Sequence, residues 1–156
     1  MNPEKILREH DFILSFHEMQ SDMASINHKS GFVDQEVAID SLETYLLRQC
    51  DGVTYARFHP LVEMFKNARV GLKLALVVGE IGEALEAVRK NKGADDHIPT
   101  FTAEEAEVAD AIIRLMNYAT DRNLRVAEAI VAKNEYNRNR KDHSKKGRAA
   151  ANGKRF

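Results

Sequence analysis

Residues 77–87 read VVGEIGEALEA and residues 104–114 read EEAEVADAIIR, and these two segments decide how the chain folds. In both, apolar residues recur every three or four positions, which is the period of an amphipathic helix. Each segment also carries two carboxylates three residues apart, Glu80 with Glu83 and Glu107 with Asp110. Like charges at that spacing repel and weaken an isolated helix.

The same period extends outward. Strand signals are almost absent, while Ala, Leu, Glu, Lys and Met are abundant, so the pattern predicts an all-α fold, an antiparallel bundle of four or five helices. A first helix is expected over about 11–27, ending before Ser30-Gly31, and a second over about 34–49, ending at the Asp51-Gly52 turn signal. A long helix should follow Pro60 and run to about Asn91, with a weak point near Arg69-Gly71. Residues 92–102, with Gly93 and Pro99, read as a loop. TAEE at 102–105 is a capping box that starts the next helix, expected to reach about Asp121. The last helix is expected over about 123–140, followed by a basic tail, 142–156, with no periodic face. A single helical domain over 1–141 results, its motif-bearing part at about 60–141.

Helical projection places Leu74, Val77, Ile81, Leu85 and Val88 on the core stripe of the long helix, with Glu80 and Glu83 at its rim. In the 103–120 helix, apolar residues cover most of the circumference. Its polar remainder is one narrow strip, Glu107, Asp110, Arg114 and Asn117. A helix apolar nearly all round is expected to be buried, which turns that strip toward an internal site. Carboxylates buried there without compensation would cost several kcal/mol each or take up protons. Four carboxylates from two neighbouring helices are hard oxygen ligands suited to Mg²⁺, with Mn²⁺ able to substitute. The competing explanation is an ion network in which Arg114 neutralises Asp110 and Glu107.

Other chemistries lack their residues. None of the six histidines has a Glu three positions before it, as a ferritin-like di-iron site requires. No CxxC, HExxH or Gly-rich phosphate loop occurs. The lone Cys50 excludes an intramolecular disulfide and suits a reducing, cytoplasmic setting. No apolar run approaches the roughly 20 residues needed to span a bilayer. The net charge of −1 hides an asymmetry, because residues 138–156 hold eight Lys or Arg against one acid, Asp142. In the last helix Val126, Ala129 and Ile130 are expected to face inward, with Lys133, Asn137 and Arg140 continuing that face. Cations there would grip an anion such as a polyphosphate.

Taken together, EIGE at 80–83, EVAD at 107–110 and KNEYNRNR at 133–140 resemble the motifs of the MazG-like all-α nucleoside triphosphate pyrophosphohydrolases. That group is related to dimeric dUTPases and dCTP pyrophosphatases. The DHS…NGKRF tail is similar to tails of the group that end in Gly-Lys-aromatic. The resemblance covers about 72–156 and departs from the pattern at Gly79, where many members carry a further Glu. It implies Mg²⁺-dependent hydrolysis of a nucleoside triphosphate, deoxynucleotides included, to the monophosphate and pyrophosphate. Glu80, Glu83, Glu107 and Asp110 would be the catalytic metal ligands. Lys133, Asn137, Arg140 and Lys154 would contact the phosphates, in a homodimer or homotetramer. The base would fall to the N-terminal half, where Phe32, Phe58 and His59 are the aromatic candidates. The alternative from another class is a non-enzymatic acidic helical oligomer whose basic tail binds nucleic acid, with carboxylates in structural ion pairs and no metal requirement.

Overall fold

The structure, a computed structural model, describes residues 3–31 and 34–140. Among them the helices are α1 (Pro3–Lys29), α2 (Asp34–Gln49), α3 (Gly52–Arg89), α4 (Ala103–Asp121) and α5 (Val126–Arg138). The fold is all-α; the only extended pairing among the described residues is an isolated bridge between Ala94 and Thr102. No helix among the described residues is long and apolar enough to cross a membrane. Phe32, Lys154 and the basic tail lie outside the described residues.

The starts of α1, α3 and α5 differ from the expected ones, α5 beginning at Val126 rather than near Asn123. α1 begins at Pro3 rather than near Asp11. α3 begins at Gly52, where the Asp51 side chain caps it by accepting from Thr54 N at 2.7 Å, and it continues unbroken past Arg69-Gly71. Pro60 therefore sits inside α3 rather than before it. Without an N–H it cannot bond the Ala56 carbonyl, a local loss that the long helix absorbs.

The chain divides into two compact units. The first joins the described parts of Met1–Met19 and Asn123–Phe156. In it the start of α1 runs antiparallel to α5, with Lys5 paired to Glu135 and His17 Nε2 lying 3.6 Å from Glu128. Ala127 is fully buried there. Ala129 and Ile130, expected to face inward, are exposed, because the seam falls on Ala127 with half-buried Val126, Glu128 and Val131.

The second unit is Gln20–Arg122, built chiefly on the antiparallel pair α3 and α4, with α2 against α3. The connection between α3 and α4 is specified in detail. Asn91 takes a positive φ of 50° at the end of α3, with Lys92 N bonded to Ala87 O and Asn91 N to Val88 O, a Schellman motif. Asp95 accepts from His97 N and Ile98 N, and Ala103 N bonds Gly93 O. The capping box at Thr102 and Glu105 then starts α4 as expected.

The α3 stripe that the chain buries is not the expected one. Val77 is buried, but Leu74, Ile81, Leu85 and Val88 are exposed, and the seam is Val77, Glu80, Ala84 and Ala87. Opposite them α4 buries Ala111, Met116 and Ala119, leaving Val108, Ile112 and Leu115 exposed. The reason is steric: alanines at the crossing let two backbones approach closely and gain dispersion contacts that branched residues would hold apart. Both helices are apolar on two faces, and the chain by itself closes on the face with small residues.

Candidate functional site

Closing α3 on α4 at the alanine seam brings the acids of the two segments together. Glu80, Glu107 and Asp110 place carboxylate oxygens within 4.8 Å of one another. Glu80 is buried in the seam at 8% exposure, Glu107 is half-buried and Asp110 is exposed, so the group opens from a dry end to a wet one. Glu83 is exposed and stands outside that trio, yet near enough to act on Glu107.

Glu107 reports the local electrostatics. Its pKa is raised above the ordinary glutamate value, first by burial and then by the charges of Glu83, Glu80 and Asp110, with a hydrogen bond to Glu80 adding to the shift. Arg114 donates from Nε to Glu80 Oε1. This is the cation of the ion-network explanation, but it meets Glu80 and leaves Glu107 still proton-seeking. The negative potential is therefore not cancelled from within. The donor set is all oxygen and suits a hard divalent cation, which would hold Glu80, Glu107 and Asp110 without forcing protonation.

Beside the acids lies a cavity of about 470 Å³ lined by α3, α4, Asn27 near the end of α1 and Gly31 just after it. Leu72 and Leu76 of α3 and Ile113 of α4 line it, with Asn117 and Tyr118 further along α4 and Asp110 in common with the carboxylate group. Arg69, Lys73 and Arg114 add positive charge, and Lys73 is paired with Asp121. The Asn117 Oδ1 is buried and accepts no hydrogen bond. The strip Asp110, Arg114, Asn117 was visible in sequence, but Arg69, Lys73 and Tyr118 were not assigned to it. The signal for Arg69 and Lys73 was the 3–4 spacing of Arg69, Leu72, Lys73, Leu76 and Glu80.

The other candidates lie elsewhere. Phe58 is exposed on α3, and neither it nor His59 lines this cavity. His59 packs against Tyr55 with ring centroids 5.2 Å apart and approaches Glu43 at 3.9 Å. With Glu63 these form a second potential ligand group, but Lys66 Nζ sits 2.6 Å from Glu43 and 3.4 Å from Glu63 and closes it as an ion network. In the first unit, Lys133 and Arg140 both lie over the Tyr136 ring, at 5.0 and 5.6 Å from its centroid. Asn137 between them has a buried Oδ1 without a hydrogen-bond partner. The chain matches no family model, no curated protein and no solved structure.

Proposed function

We propose that the protein is a Mg²⁺-dependent nucleoside triphosphate pyrophosphohydrolase of the MazG-like type. The observation that carries this reading is the convergence of Glu80, Glu107 and Asp110 across the α3–α4 seam, with negative potential that Arg114 does not cancel. When bound there, the cation would supply electrophilic polarisation of phosphate oxygens. Glu80, Glu107 and Asp110 would hold it, with Glu83 as the fourth acid. Arg114 would leave Glu80 and become free to meet phosphate, where its forked donors suit paired oxygens. The resemblance would assign Lys133, Asn137 and Arg140 to further phosphate contacts, where they would stabilise charge as pyrophosphate departs.

The active form is proposed to be a homodimer or homotetramer. Ile81, Leu85 and Val88 on α3 and Val108, Ile112 and Leu115 on α4 are each more than 40% exposed, an apolar surface that water disfavours and a second copy would cover. The test is a panel of ribo- and deoxynucleoside triphosphates with Mg²⁺, measuring pyrophosphate and orthophosphate separately. Pyrophosphate release that chelation abolishes is the expected result. No release with any of them would overturn the reading, and nucleic-acid binding by the intact chain without a metal requirement would favour the alternative.

A further inference from the structure

We infer that the cavity beside the acids receives the nucleoside part of the substrate, with the Asn117 amide reading the pairing edge of the base. This rests on the hydrolase reading for its expectation that the ligand is a nucleotide. The lining itself argues for the part of the ligand that fits. Leu72 and Leu76 from one helix and Ile113 from the other give two apolar walls, which a flat ring can enter without losing hydrogen bonds. The volume, about 470 Å³, falls within the range of small-molecule sites.

Direction follows from two polar groups along α4. Asp110 belongs both to the cavity and to the carboxylate group, so the phosphate end of a ligand lies there. Asn117 is seven residues further along α4, about 10 Å at the helical rise. That is the span of a nucleoside from its 5′ oxygen to the pairing edge of its base. An amide at that position presents an acceptor and a donor side by side, the pattern with which Asn pairs a base edge. Its Oδ1 is buried with no hydrogen bond made, and an acceptor so placed is destabilising until a donor meets it. Rotation of the amide into the cavity, onto a base N–H, relieves that cost. Such a site rejects bases whose donor and acceptor fall in the wrong places.

The experiment uses free nucleosides of adenine, guanine, cytosine and uracil, in ribo and deoxy forms, titrated by NMR into the full chain with chelator present. Binding in this cavity needs neither metal nor phosphate. The expected result is that one base binds better than the others, with the preference reduced roughly 5- to 150-fold in Asn117→Ala. Leu76→Trp, which fills the cavity, should abolish nucleoside binding while leaving Mn²⁺ binding measured by calorimetry intact. This second variant keeps the test decisive if Asn117→Ala does not fold. No nucleoside binding at millimolar concentration, or a base preference unchanged in Asn117→Ala, overturns the inference even if triphosphates are hydrolysed. Selective nucleoside binding lost in these variants upholds the cavity assignment, even if no triphosphate is hydrolysed and the hydrolase reading fails.

Discussion

Glu107 ionises against burial and three neighbouring carboxylates, so its native pKa lies above its unfolded value near 4.5. The native state then binds the extra proton, and the stability this group contributes is fully present below the unfolded pKa. It is lost as pH rises through the native pKa. Metal-free protein should therefore lose part of its stability above that window, and Mg²⁺ should restore it. Glu107→Gln should flatten this segment of the profile, as urea midpoints with and without chelator would show. Glu80→Gln and Asp110→Asn should each lower turnover by roughly 100- to 1000-fold, the scale of one lost electrostatic contact, with circular dichroism unchanged. Unfolding of both variants instead would make these acids structural ion-pair partners.

Arg114 separates the two accounts further. Arg114→Met leaves Glu80 buried without its cation, which should cost about 1–3 kcal/mol in metal-free protein, less than for a wholly buried pair because Arg114 is 41% exposed. Mn²⁺ affinity should rise at the same time, since a competing cation has gone. Calorimetric titration showing weaker or absent Mn²⁺ binding would favour a closed ion network.

At the scale of elements, the register of α4 on α3 depends on how the connection ends one helix and starts the next. Asn91 adopts a left-handed conformation that a β-carbon normally disfavours. Asn91→Ala should cost about 1 kcal/mol, and Asn91→Gly should be neutral or stabilising, since glycine adopts this conformation readily. Thr102→Ala removes the acceptor for Glu105 N, at 3.2 Å, and should cost about 1 kcal/mol. Because the acids converge only in this register, both losses should also weaken Mn²⁺ binding in calorimetry. Asn91 and the TAEE box are local signals, which is why the ends of these helices were legible in sequence. The start of α3 was not, because Asp51-Gly52 has the same composition as a turn and a proline such as Pro60 is a signal for a helix N-terminus.

For the whole molecule, the expected outcome is self-association through the apolar face that one chain leaves open. Sedimentation should give a dimer or larger at micromolar concentration, and Leu85→Arg or Ile112→Glu should yield smaller species that remain folded. A wild-type monomer would count against this. On the proposed hydrolase reading, alanine at Lys133 or Arg140 should reduce turnover roughly 30- to 1000-fold, for a contact of about 2–4 kcal/mol. Unchanged turnover in steady-state kinetics would reduce their role to the ring contacts with Tyr136.

What the sequence determined by itself is what depends on neighbours within a few turns: helical periodicity, the capping box, and the spacing that sets Glu80, Glu83, Glu107 and Asp110 on two helices. Which face each helix buries was decided by tertiary structure. α3 and α4 each have two apolar faces, and helical projection puts Leu74, Val77, Ile81, Leu85 and Val88 on the buried stripe of α3. Packing kept Val77 from the expected stripe and took Ala84 and Ala87 in place of the rest, since a close crossing needs small residues. That choice turned Glu80 from the rim into the seam, set it against Arg114, and left the cavity that Asp110 and Asn117 line. Contacts between residues 34 apart in the chain, as Glu80 and Arg114 are, have no local signature; they exist only once the backbones have met.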